Sequence, residues 1–398
     1  MTNRRSLPRW LKITLNVLIA LVVVSHVAGG YVFSNMIKAD ALAPRPPTPD
    51  YGVYVVAVDE ASITLSSISE RSDTVHPGVF GLAWEGGYGR IGEIRAVSGL
   101  EVTRDFDLVS GVTPQVCNGS LETCKPVDIE GWAFETDPGD VDLAFEEVSF
   151  DAPLGTLGAW QVAADGGTTW AIHVHGWRAS RREAIRSLPA FSEAGVTSLV
   201  IDYRNDPGAP ADPSDLYRFG RTEWEDVEAA VRFALDQGAS DVVLVGYSTG
   251  AAAHASFMEN SRLADHVRAL VFDAPNVSMG DVVKNAASDM TLPGTPIPVP
   301  GSLTWVAMVM ADMRFDVDWD AVNYVPRAGE FLNKPTLIFH GTDDGRVPVA
   351  VSRALAEASS QVTLVETEGA DHVTSWNVDP YGYSETLVQF LADLDPSS

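Results

Sequence analysis

Three sites far apart in the chain hold residue types that together suit acyl transfer. Ser248 stands in Gly246-Tyr-Ser-Thr-Gly250, the neighbours Asp343 and Asp344 in His340-Gly-Thr-Asp-Asp-Gly-Arg-Val-Pro348, and His372 in Gly369-Ala-Asp-His-Val373. A serine hydroxyl attacks poorly until a base removes its proton, and the imidazole that does so needs a carboxylate to hold its tautomer and its charged form. A nucleophilic serine also needs a tight turn between strand and helix, with small residues on either side so that the two can approach. Gly246, Gly250 and Ala251-Ala-Ala253 are such residues. A bare G-x-S-x-G recurs by chance, and Ser248 read alone is an ordinary loop serine. Its place after an apolar strand and before a helix favours the nucleophile.

The same weighing applies to the histidines. A single loop His is most often a surface residue, yet of the eight in the chain only His372 follows the last predicted strand and precedes the last predicted helix. His173 and His340 lie in or at the end of strands and read as structural. His254 lies one and a half turns into the helix after Ser248 and should point elsewhere. For the acid, both Asp343 and Asp344 close a predicted strand, and Asp273 at the end of residues 269–273 is a less favoured alternative. The oxyanion needs two N–H donors, and one is the amide of Thr249, directly after the nucleophile.

The elements that must position these groups follow from periodicity. Predicted strands at 169–174, 196–202, 241–246, 269–273, 335–340 and 361–366 are apolar runs. Helices alternate with them. Two of these open at the capping boxes Ser180-Arg-Arg-Glu183 and Thr222-Glu-Trp-Glu225. Such alternation predicts an α/β fold whose mainly parallel central sheet is covered by helices on both faces. Asp165-Gly-Gly167 between residues 159–163 and 169–174 is a hairpin signal.

With these motifs in place, residues 158–398 resemble the α/β-hydrolase superfamily. The resemblance implies that H-G-x-x-D-x-x-V-P puts the acid at Asp344. It also implies that His175-Gly-Trp-Arg178 matches the H-G-x loop, making the Trp177 amide the second oxyanion donor. An insertion over about 275–332 would then form a cap over the site. Within it Trp305, Met308, Met310 and Met313, with Tyr247 outside it, are expected to line a substrate pocket. Ordinary packing of a cap helix explains the methionines equally well. Asp316, Asp318 and Asp320 lack the glycine and distal Glu of a calcium loop and read as a solvated turn.

Ahead of that region stand four further segments. Arg4, Arg5, Arg9 and Lys12 in residues 1–12 precede an apolar run over 13–33, long enough as a helix (about 31 Å) to cross a bilayer. The basic flank should stay cytoplasmic and send the remainder outside. A cleaved signal is the rival, with Ala39-Asp-Ala41 and Ala41-Leu-Ala43 as small-x-small sites. Residues 34–52 read as a proline-rich tether, and 53–157 as a β-rich domain without internal repeats. Cys117 and Cys124, the two cysteines, flank turn chemistry and suit a disulfide in an oxidising compartment, or else two free thiols. A formal charge of −27 argues against nucleic acid as a partner. No cofactor or metal is expected. The expected function is an exported, membrane-anchored serine hydrolase acting on a small-molecule carboxylic ester through an acyl-enzyme. The alternatives are a peptidase or acyltransferase using the same residues, or a non-catalytic surface binding protein. The peptidase relatives with a large propeller ahead of the hydrolase are disfavoured by the short, non-repetitive β-rich segment.

Overall fold

The computed structural model describes residues 8–45, 52–67, 72–119 and 124–394, and helices and strands are numbered in chain order. Arg4, Arg5 and tether residues 46–51 lie outside the described residues. The chain folds as two compact units: Met1–Ala43 with Met279–Ala321, and Pro44–Ser278 with Val322–Ser398.

The smaller unit is helical. Helix α1 (Arg9–Ile37) continues as one π-helical turn, Lys38–Leu42. Its most apolar 18-residue window has a mean hydropathy of 2.0, so by length and composition it can cross a membrane. The tether was expected from residue 34, yet the helix runs on to Leu42. Arg314 holds Ser34 and Asn35 inside the unit, and Pro44 is the first residue after the helix that cannot join one.

In the larger unit the first sheet is antiparallel. It comprises β1 (Val53–Val58), β2 (Ser62–Ser67), β3 (Phe80–Trp84), β4 (Gly87–Ser98), β5 (Glu101–Gly111) and β6 (Asp128–Glu130), in the order β1-β2-β5-β4-β3-β6. Val53, Val55, Ile63, Leu65, Leu82 and Ile91 form its core, and a Cys117–Cys124 disulfide closes the loop that leads to β6. The short helix α2 (Ser72–Val75) precedes β3. Arg104 of β5 is fully buried beneath that connection and donates to the carbonyls of Thr74, His76, Gly78 and Gly92.

The second sheet has eight strands: β7 (Glu146–Ala152), β8 (Gly155–Val162), β9 (Thr169–Val174), β10 (Thr197–Ile201), β11 (Asp241–Tyr247), β12 (Val267–Asp273), β13 (Thr336–Gly341) and β14 (Val362–Thr367). Their order is β14-β13-β12-β11-β9-β10-β8-β7. From β9 to β14 every neighbouring pair is parallel, and β8 and β7 continue the sheet antiparallel. Helices α3 (Leu188–Glu193), α4 (Trp224–Asp236), α5 (Gly250–Asn260), α8 (Ala328–Phe331) and α9 (Ala350–Ala358) lie between the parallel strands, and α10 (Ser375–Val378) and α11 (Pro380–Asp393) follow the last of them. Helices α6 (Met279–Ser288) and α7 (Gly301–Phe315) of the smaller unit are inserted between β12 and β13. Within the larger unit, the segments of chain that lead to and from the insert meet where the Tyr324 N–H donates to the Val277 carbonyl at 2.9 Å.

Three details depart from expectation. Strands β8 and β9 form no hairpin, because β10 lies between them. Gly167 lets the connection pass the Gly195 carbonyl, which a Cβ would meet at 1.9 Å. The boundary between the sheets falls before Glu146 rather than at 158, since β7 pairs with β8 along its whole length. Neither capping box forms. The Glu183 carboxylate accepts from the Gly176 N–H at 2.6 Å, and Glu225 pairs with Arg204 at 2.9 Å.

The two sheets are joined by a buried polar junction. Arg186 donates to the carbonyls of Gly131 and Val373 and to Asn377 Oδ1, at 3.1, 2.8 and 2.8 Å. Asn377 in turn donates to the carbonyls of Val79 and Gly131. Gly78, at φ 108°, passes so close that a Cβ would lie 2.0 Å from the Asn377 carbonyl. Arg104 fixes that same segment from the other side. Replacing it by Met leaves several buried carbonyls without donors, so Arg104→Met is expected to lower stability by roughly 2–4 kcal/mol. Urea unfolding followed by tryptophan emission measures it.

Candidate active site

Ser248 follows β11 directly and has φ 50°, a left-handed backbone that costs a non-glycine residue about 1–2 kcal/mol. The surroundings hold it there. Its N–H donates to the Asp273 carbonyl and its own carbonyl accepts from Asn276, both at 2.9 Å. A Cβ on Gly250 would lie 2.1 Å from the Val174 carbonyl, and one on Gly246 2.6 Å from the Ala251 nitrogen. Helix α5 therefore meets β9 and β11 at backbone distance, and Ser248 sits at the junction with its hydroxyl facing His372.

His372 lies in the loop after β14. Its Nε2 is 2.9 Å from Ser248 Oγ, and its Nδ1 is 2.7 Å from Asp344 Oδ2. The Nδ1–H donates to the carboxylate, which leaves Nε2 as the acceptor facing the hydroxyl. The loop is fixed at several points. Asp371 Oδ1 accepts from the amides of His372 and Gly345, tying the loop of His372 to that of Asp344. Arg186 holds the Val373 carbonyl.

Asp344 is buried and Asp343 exposed, so geometry separates the two neighbours. Asp344 Oδ1 accepts from the amides of Arg346 and Val347 at 2.8 and 2.7 Å, and Oδ2 is 3.2 Å from His340 Nε2. Burial alone would raise its pKa. Hydrogen bonds from His340, His372 and Val347 outweigh that and hold it well below the usual carboxylate range. His340 thus supports the acid, a role its strand position concealed. Asp273, the alternative acid, is buried at the end of β12, where desolvation pushes it up to about 7 against the pull of Arg186.

Trp177 and Thr249 flank Ser248 on the other side, and neither amide donates to a protein acceptor among the described residues. Both residues line one recess with Tyr203, Tyr217, Phe219 and Glu223. Gly176 is needed there, because its Cβ would lie 3.0 Å from that of Ser248. Beneath this loop His175 is fully buried, with Nε2 2.9 Å from Asp206 Oδ2 and Nδ1 2.9 Å from the Gly176 carbonyl. Burial disfavours its charged form, yet Asp206 prevails and raises His175 to about 9.

The residues expected to line a pocket do not share one. Tyr247 is buried below the turn, with its hydroxyl 2.6 Å from Ser187 Oγ. Met308 is buried within the smaller unit, Met310 packs on Gly30, and Trp305 and Met313 are exposed. A cleft of about 340 Å³ instead borders His372, with His76, Phe80 and Trp132 as one wall and Arg346 and Thr374 as another. The sequence held no signal for it, because the first wall comes from the antiparallel sheet. Among the described residues no group of three or more His, Cys, Asp or Glu side chains is set to hold a metal ion.

Comparison with known proteins bears on this arrangement. Residues 171–385 match the alpha/beta hydrolase family, and residues 54–118 match DUF8805, a domain of unknown function. No curated protein matches the chain. An esterase of Pyrococcus furiosus has a similar structure, with a TM-score of 0.50 at 18% identity over 65% of this chain and 95% of that one. Est1E from Butyrivibrio proteoclasticus, solved with ferulic acid, gives a TM-score of 0.47 at 16% identity over 62% and 98% of the two chains. A Rhodococcus esterase gives 0.45 at 16% over 63% and 99%.

Two consequences are measurable. The raised His175 stabilises the fold fully below its unfolded value of 6.5, and that contribution disappears as pH rises through about 9. The difference in urea midpoint between wild type and His175→Gln is therefore expected to be largest below pH 6.5 and to shrink up to pH 9. Gly250→Ala drives a Cβ into the Val174 carbonyl and is expected to cost roughly 1–3 kcal/mol or more in the same assay.

Proposed function

The chain belongs to the alpha/beta hydrolase family, and on that premise we propose that it is an exported, membrane-anchored serine hydrolase that cleaves carboxylic esters. The observation that carries this reading is the continuous chain Asp344 Oδ2–His372 Nδ1 and His372 Nε2–Ser248 Oγ, at 2.7 and 2.9 Å. Helix α1, with Arg9 and Lys12 at its start, supports the anchor, and the Cys117–Cys124 disulfide supports an oxidising compartment.

In this mechanism Ser248 Oγ attacks the acyl carbon while His372 Nε2 takes its proton. The carbonyl oxygen becomes an anion that the amides of Trp177 and Thr249 receive, a contribution of about 3–4 kcal/mol per donor in comparable sites. Collapse breaks the bond to the alcohol oxygen, which leaves with the proton from His372. Water then attacks the acyl-serine, gives its proton to His372, and the second collapse frees the acid and returns the proton to Ser248. Asp344 remains ionised throughout, orienting the imidazole and stabilising its charged form.

The test uses the full chain in detergent, with a fluorophosphonate probe and a p-nitrophenyl ester series of increasing acyl length. Wild type is expected to label and turn over, and Ser248→Ala to do neither. Asp344→Asn is expected to lower kcat by roughly 10³–10⁴. Folded wild type that takes no label would overturn the proposal. Labelling with amide cleavage but no ester turnover would move the substrate to peptides.

A further inference from the structure

The smaller unit contains an apolar surface that the proposed chemistry does not use. Helix α7 runs parallel to the second half of α1. His26 Nε2 meets Ser302 Oγ at 3.0 Å, Gly30 faces Val306 and Met310, and Arg314 reaches Ser34 and Asn35 at 2.6 and 2.8 Å. Lys38 lies over the Phe315 ring. Level for level, residue 26 stands beside 302 and 30 beside 306, and the long Arg314 side chain reaches back to 34.

This pairing meets the demand a bilayer makes, that polar groups find partners inside the protein. His26 Nδ1–H donates to the Val22 carbonyl, so its Nε2 accepts from the Ser302 hydroxyl. Ser25 donates to Val22 and Ser34 to Tyr31. The charges Arg314 and Lys38 gather at one end of the pair.

Aromatic residues mark the levels. Trp10 and Tyr31, both exposed, are separated by about 31 Å of helix, against a hydrocarbon core of about 30 Å. Such rings favour the two interfaces. Trp305 falls between the levels of His26 and Gly30, within a turn of Tyr31, and is also exposed. Thr291 to Pro300 form a tight hairpin in which the Leu292 N–H donates to Ile297, Thr295 to Leu292 and Val299 to Met290. Its prolines have no N–H to satisfy, and Ile297, opposite Leu292, stands exposed.

We propose that this hairpin and the first turns of α7 are seated in the headgroup–acyl boundary of the non-cytoplasmic leaflet, with Ile297 and Trp305 in contact with lipid. The partner is the bilayer itself, because α7 packs along the exposed apolar helix α1 at the level of Tyr31, with Trp305 exposed beside it. The inference rests on α1 being a retained span. That retention has its own support. Both small-x-small sites lie in the helical stretch up to Leu42 and its immediate end, and cleavage there would strip Arg314 of its partners and uncover Val306 and Met310. The insert is thereby tied to the membrane at two points, and the substrates best suited to it are esters dissolved in lipid.

The test places single cysteines at 297, 305, 309 and 313, at 23 within α1, and at 237 as an aqueous control. The two native cysteines are consumed by their disulfide. Each full-length variant is labelled with NBD and reconstituted in phosphatidylcholine nanodiscs containing lipid with a doxyl group high on the acyl chain. Positions 297 and 305 are expected to be quenched at least about twofold more than 237, with 309 and 313 weaker in that order. Quenching at 23 together with none at 297 and 305 would overturn the proposal and leave the anchor intact. No quenching at 23, or release of the chain by alkaline carbonate, would remove both. A diazirine phospholipid with the unmodified chain is a second reading, expected to crosslink within residues 291–309, and crosslinks confined to α1 would also overturn the proposal.

Discussion

The site depends on how closely α5 is allowed to approach β9. With Gly250 lacking a side chain, the helix start sits against the Val174 carbonyl, and the strand–helix turn becomes sharp enough to force Ser248 into a left-handed backbone. A wider junction would relax the turn and draw the hydroxyl back toward the protein. The strain is small beside the packing of the surrounding parallel strands, whose side chains from Val242 to Val245 are buried.

Electrostatics then arranges what the turn exposes. Asp344 stays ionised although buried, because its oxygens are occupied by two backbone amides and two imidazoles. A carboxylate so thoroughly hydrogen-bonded has one orientation, and His372 inherits it. On the opposite side the His175–Asp206 pair supports the loop of Gly176 and Trp177. Asp344 and the loop of Gly176 and Trp177 are thus each held by a buried histidine with a different task. His340 is a hydrogen-bond partner of the acid, and His175 a charged support for a loop.

The antiparallel sheet belongs to the same construction. Arg186 and Asn377 link its Val79 and Gly131 carbonyls to Val373, one residue beyond His372. Arg104 braces the segment from Thr74 to Gly78, which carries His76 to the cleft beside that histidine. The sheet therefore supplies a wall of the cleft and braces the loop of His372.

Residue types, their order and the apolar alternation were legible in the sequence because each is local. A strand announces itself by a run of apolar residues, a tight turn by its glycines, a membrane helix by length without charge. Those signals sufficed for an α/β fold and singled out Ser248, His372 and the pair Asp343 and Asp344, with the family resemblance pointing to Asp344. The structure brings Ser248, His372 and Asp344 within hydrogen-bonding distance. The tertiary structure alone decided which of Asp343 and Asp344 is buried, since adjacent residues of one type have the same local signature. It also decided that β10 separates β8 from β9, that Glu183 turns to Gly176 instead of capping a helix, and that Tyr247 lies beneath the turn. The methionines of α7 went to α1, core and solvent for the same reason. Each of these outcomes is a competition between partners far apart in the chain, and its winner is set by distance in space.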